Sequence, residues 1–164
     1  MQFPIPTIES FLEPKWSELD KLRSIVRNFF EKNQIEEEHF SPVYMVATEL
    51  VENGIKYGDF SSEYPYISLK LSKKKNKIIT EVKNHISENS IQNLHKLDAK
   101  IQWIRGFQNP FEAYVESLKE VSGKQLQEGE SGLGLVRIAY EGQSLLDFYV
   151  DENTNLTIIA EYHY

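Results

Sequence analysis

The chain has 164 residues and no cysteine, with 40% hydrophobic and 12% aromatic content and a formal net charge of -7 at pH 7. That length and apolar fraction suffice for one domain with its own core, while the missing cysteines exclude disulfide frameworks, thiolate nucleophiles and cysteine-based zinc sites. The acidic balance offers none of the clustered positive charge that nucleic acid or an anionic membrane requires, no stretch approaches the ~20 apolar residues of a membrane span, and the first residues lack a basic segment followed by an apolar run, so the expected location is the cytoplasm.

Residues 16–30 place Trp16, Leu19, Leu22, Ile25, Val26, Phe29 and Phe30 at the three-and-four spacing of one helical face, with charged residues elsewhere. This predicts an amphipathic helix. A second helix is predicted from "SPVYM", with Ser41 as N-cap and Pro42 at the first helical position, running to about Tyr57 and stopping at Gly58. "YISLKLS" and "KIITEVK" alternate in polarity and are rich in β-branched residues, so they predict a hairpin whose tip is the lysine run at 73–77. That run is read as a solvated turn.

Residues 87–122 are polar and helix-permissive, with "GFQNP" breaking them into two predicted helices. Trp103, Phe107, Phe111 and Tyr114 are read as the core of this excursion or, where exposed, as an anchor patch for a partner. "GESGLGLVRIAYEG" is a glycine-punctuated loop opening a helix, and "SLLDFYV" and "NLTIIAEYHY" close the chain as a second hairpin. Strands arriving in antiparallel pairs with helices between them predict an α+β two-layer sandwich: a mixed, mostly antiparallel sheet with helices on one face.

The segment "ELVENGIKYGDF" carries the first functional signal. Glu49 and Asn53 are one helical turn apart and point the same way, with Lys56 and Tyr57 in the next turn. An Asn oxygen can ligate magnesium, a carboxylate can take a proton from an attacking hydroxyl, and a lysine can place its charge on a phosphate. The same spacing also occurs as ordinary helix decoration, and Glu52 with Lys56 is a routine ion pair. The second signal is "SGLGL", whose glycines lie just before a predicted helix, where free N–H groups and close backbone approach favour an anion.

Together "ELVENGIKYG" and "GESGLGLVRIA" resemble the N box and the second glycine box of the GHKL ATPase superfamily of gyrase, histidine kinase and MutL type. The chain is most similar to bacterial anti-sigma-factor serine kinases and to SiaB-like regulators of partner-switching pathways. The resemblance spans most of the chain and implies a single histidine kinase-like, Bergerat-type ATP-binding domain over residues 1–164, with a lid-like excursion over about 87–131. It implies Glu49 as general base and Asn53 as the magnesium ligand. Lys56 and Tyr57 would flank the nucleotide, and Gly132, Leu133, Gly134 and Leu135 would wrap the phosphates.

It further implies Mg2+ and ATP as cofactors. The implied partner is a small regulatory protein, either an antagonist of STAS type or a sigma-like factor, alongside a homodimer.

The sequence departs from the family where the first glycine box should follow "KIITEV". Asn84 stands for the aspartate that reads adenine, and Ile86 and Glu88 bring side chains to positions where the family has none. A neutral in place of a charge-assisted hydrogen bond weakens ATP by about tenfold. The fuller departure leaves two readings: a rearranged loop that still binds ATP, or a closed pocket on a protein-recognition module. His85 beside this loop is read as a packing residue, and His39, His95 and His163 show no partners at metal-ligand spacing.

Overall fold

The structure, a computed structural model, describes residues 4–123 and 133–164. Its strands are β1 (Thr7–Leu12), β2 (Ile67–Lys74), β3 (Lys77–His85), β4 (Ser144–Val150) and β5 (Asn155–His163). Its α-helices are α1 (Leu22–Lys32), α2 (Phe40–Tyr57), α3 (Ile91–Arg105), α4 (Pro110–Ser122) and α5 (Gly134–Tyr140).

The sheet runs β1-β2-β3-β5-β4 with every pairing antiparallel. It is thus the antiparallel limit of the mixed sheet the sequence predicts. Both expected hairpins form, with Lys75 supplying the left-handed residue (φ 45°) at the lysine-rich tip. The unexpected strand is β1, which pairs along β2 at the edge. Its alternation is weak because only Leu12 of its six residues is buried, so the apolar signal of a core strand is missing.

On the helix-bearing face, Leu69, Leu71, Val82, Ile158, Ala160 and Leu146 join the main core. Helix α1 buries Leu22, Val26, Phe29 and Phe30, and α2 buries Phe40, Val43, Val46, Ala47, Leu50, Val51 and Gly54. Both stripes keep the helical period, which fixes each helix's rotation about its axis. The first predicted helix is split: residues Trp16–Lys21 form a 3-10 turn before α1 begins.

Helix α2 starts at Phe40 rather than after Ser41, because a 3-10 turn, Glu37–His39, delivers the chain already helical. Ser41 and Pro42 then occupy the first turn, where a missing N–H breaks no bond. Helices α3, α4 and α5 build a smaller cluster around Ile104, Ala113, Val136 and Ala139, against which Trp103, Phe107 and Tyr114 pack. Those three aromatics are therefore packing residues, while Phe111 is exposed beside Tyr140 at a ring separation of 5.2 Å.

Candidate functional site

The stripe that buries Leu50, Val51 and Gly54 in the core turns Glu49 and Asn53 to its flank, toward the start of α5. The Glu49 side chain is only 12% exposed. Its Oε2 lies 3.0 Å from the point a Cβ on Gly134 would occupy, so the absence of a side chain at 134 is what lets the carboxylate rest against the helix start. Helix α2 and the glycine segment, 85 residues apart by number, thus meet at these two residues.

Glu49 Oε1 accepts a hydrogen bond from Arg137 at 2.5 Å. Burial pushes the Glu49 carboxyl above its ordinary pKa; the Arg137 guanidinium opposes that without cancelling it, and Glu52 adds to it. A carboxyl raised in this way is a better proton acceptor once ionised, which suits a general base.

The Asn53 carboxamide is half-buried one turn further on along α2. Lys56 is exposed, with its ammonium 5.9 Å from the centre of the Trp16 ring, and Tyr57 is 54% exposed at the helix end. Leu133 precedes α5 and accepts the N–H of Arg137 through its carbonyl at 2.9 Å, while Leu135 packs between the two core clusters. The expected phosphate contact at Gly132 lies outside the described residues, as does the lid beyond residue 123. The described part of that 87–131 excursion comprises α3 and α4, and at the end of α3 Arg105 donates to the Leu146 carbonyl of β4.

Asn84 is buried on β3 directly over α2. A Cβ on Gly54 would meet its Oδ1 at 3.3 Å and Ile67 Cδ1 at the same distance, so a residue larger than glycine at 54 would press on the Asn84 carboxamide. Its Nδ2 donates to the His85 carbonyl at 3.1 Å. Ile86 is 3% exposed and belongs to the main core, held by its N–H to the Thr154 carbonyl at 3.0 Å. His85 stacks on Tyr64 at 3.9 Å, the packing role expected of it. The side of the site where the family resemblance puts the base therefore carries the buried Asn84 and Ile86, while on the other side Glu49 packs against Gly134. Two surface clefts, of about 420 and 290 Å3, lie elsewhere, around Lys32 to Gln34 and on the outer sheet face.

Sequence reasoning missed one grouping. Among the described residues, Glu36, Glu38 and His39 place ligand atoms within 4.8 Å of one another and could hold a metal ion. The expectation that His39 has no partner at metal-ligand spacing is thereby corrected, and the run "EEEH" is the signal that could have shown it. His39 Nδ1 is shared with the Tyr162 hydroxyl at 2.8 Å. The group sits on and beside the 3-10 turn just before α2, roughly 20 Å of helix rise from Asn53, so it cannot complete a magnesium site with that residue.

An antiparallel sheet carrying helices on one face, with α2 against the glycine-led α5, is the Bergerat-type architecture that the sequence resemblance implies. Among solved structures, a chain in the crystal structure of the SiaB-SiaC complex from Pseudomonas aeruginosa is similar over 94% of this chain and 88% of that chain, with a TM-score of 0.69 and 17% sequence identity. No protein-family model matches the chain, nor does any curated protein match it in sequence. Among the described residues no helix is long and apolar enough to cross a membrane.

Proposed function

We propose that the chain is a Mg-ATP-dependent regulatory domain of a bacterial partner-switching pathway, a protein Ser/Thr kinase acting on a small antagonist protein of STAS type or on a related sigma-like factor. The close packing of the Glu49 carboxylate against Gly134 carries this reading. It is supported by the fold shared with a chain of the SiaB-SiaC complex.

In this reading Asn53 supplies one oxygen to the cation, and Lys56 and the backbone at Leu133, Gly134 and Leu135 hold the phosphates. Magnesium, when bound, would offset the charge of the phosphate oxygens. Glu49 takes the proton of the partner's Ser or Thr hydroxyl as that oxygen forms its bond to the γ-phosphorus. The bond from phosphorus to the ADP oxygen breaks, and ADP leaves with the electron pair. The exposed Phe111 and Tyr140, on the α4 and α5 surface, offer the partner an aromatic contact.

The test is Glu49→Gln, which removes the base and keeps the volume. Phosphoryl transfer to the partner should disappear while the chain stays folded; transfer at the parent's rate would refute the assignment.

The second reading, a non-catalytic interaction module, is favoured by the burial of Ile86 where the family leaves space. Thermal unfolding separates the two. Mg-ATP at ~100 times its Kd adds about 2.7 kcal/mol, which raises Tm by roughly 5–10 °C in a chain of this size. An unmoved Tm at millimolar Mg-ATP supports the module.

A further inference from the structure

Arg137 stands on the second turn of α5 and reaches in two directions. Through one terminal nitrogen it donates to Glu49 Oε1 at 2.5 Å. Through Nε and the other terminal nitrogen it donates to Glu141 Oε2 at 3.2 and 3.1 Å. Glu141 lies just past the end of α5, four residues on, so its position relative to Arg137 is set by the helix itself. The other charges that face Glu49 are Glu52 and Lys56 on its own helix and Glu141, and among the described residues Arg137 alone is bonded to it.

The two oxygens of Glu49 are thereby made unequal. Oε1 is tied to the guanidinium, and Oε2 lies against Gly134, away from it. We propose that Arg137, braced by Glu141, is a positioning residue for Glu49: it anchors Oε1 and leaves Oε2 as the oxygen that accepts the proton. This rests on the reading of Glu49 as general base.

A guanidinium suits the task because its planar fork can hold two carboxylates at a fixed angle, one on each side. An ammonium would supply the charge without the direction. The arrangement also explains why a carboxylate so deeply placed can be ionised at all, since an unpaired buried charge would be strongly disfavoured.

Two measurements test it. In the nucleotide-free chain, a double-mutant cycle in urea with Glu49→Gln and Arg137→Met should show coupling of about tenfold or more in the unfolding equilibrium constant. In the transfer assay, Arg137→Met should lower kcat by about 100-fold, the size expected when a reacting group is displaced by an ångström, with the KM for ATP changed little. Arg137→Lys should recover part of the lost kcat, and Glu141→Gln should lower kcat in the same direction as Arg137→Met but less. Strictly additive effects in the cycle overturn the proposal. So does a raised KM for ATP at unchanged kcat, which would make Arg137 a nucleotide contact. If the parent chain transfers no phosphate, the kinase reading falls, while the cycle still decides whether Arg137 orients Glu49.

Discussion

Glu49 Oε2 and Gly134 sit so close that a single methyl group at 134 would lie 3.0 Å from the carboxylate oxygen. That distance is tighter than a Cβ normally makes, but the group it meets is the end of a side chain and can turn away. Gly134→Ala should therefore fold well, because an alanine in the first turn of a helix offsets strain with better helix propensity, by up to about 1 kcal/mol. The displaced carboxylate should lower phosphoryl transfer by about tenfold or more. A Tm within about 2 °C of the parent's with reduced transfer is the expected pair of results; full activity would show that the carboxylate needs no such room.

Gly142 gives the opposite outcome. A Cβ there would lie 2.4 Å from Val46 Cγ2 and 2.5 Å from the Ile138 carbonyl oxygen, and the second of these is backbone that cannot turn aside. Val46 and Ile138 are both buried, so the clash falls on the seam that presses α5 against α2. Gly142→Ala should lose about 1–3 kcal/mol, read as a lower urea midpoint at constant m-value. Because the same seam holds Arg137 near Glu49, transfer should fall with it.

These pairs divide what could be read in the sequence from what could not. The two hairpins were legible because β-branched alternation and turn residues act locally, and the end of α2 was legible because glycine is a poor helix former, although Gly58 leaves the helix in an extended conformation (φ -70°) that any residue can adopt. The start of α2 was misplaced by two residues because the Glu37–His39 turn competes with Ser41 for the cap, and β1 was invisible because an edge strand buries little.

At the site, the motifs named Glu49, Asn53 and Gly134 but not Arg137. Its pairing with Glu141 is a local four-residue relation, visible in "RIAYE", whereas its bond to Glu49 spans 88 positions and exists only once α5 docks on α2. Ile86 was identified as an intruder, yet whether it would point outward or into the core depended on β5 lying beside β3.

The pH dependence of stability should report the burial of Glu49. Its carboxyl holds its proton more tightly in the folded chain than in the unfolded one. The unfolded chain ionises first, so stability contributed by the protonated form is full at low pH and is lost as pH rises through the ordinary carboxylate range to the raised value. Glu49→Gln cannot ionise and should lack this loss. The stability of the parent relative to Glu49→Gln should thus fall in urea titrations as pH rises from the ordinary carboxylate range through the raised value. A difference that stays flat, or rises, would mean that Arg137 outweighs burial.

Ile86 decides between the kinase and the module most directly. It is packed in the main core where the family resemblance leaves room for the base, and Asn84 beside it is held by the His85 carbonyl. Truncation to alanine removes three methyl or methylene carbons and should destabilise the chain by about 2–5 kcal/mol, depending on how far the surroundings collapse. If Ile86 obstructs adenine, the space it vacates lies where the ring must enter, and Mg-ATP should then restore more Tm to Ile86→Ala than to the parent. If the loop already admits the base in the parent, both proteins should gain the same increment at equal saturation, since the linkage depends only on ligand concentration relative to Kd. Comparison with Mg-triphosphate, which has no base, completes the argument. An increment from triphosphate equal to that from ATP in the parent, but smaller than that from ATP in Ile86→Ala, would place the obstruction at the base and leave the phosphate side of the site intact.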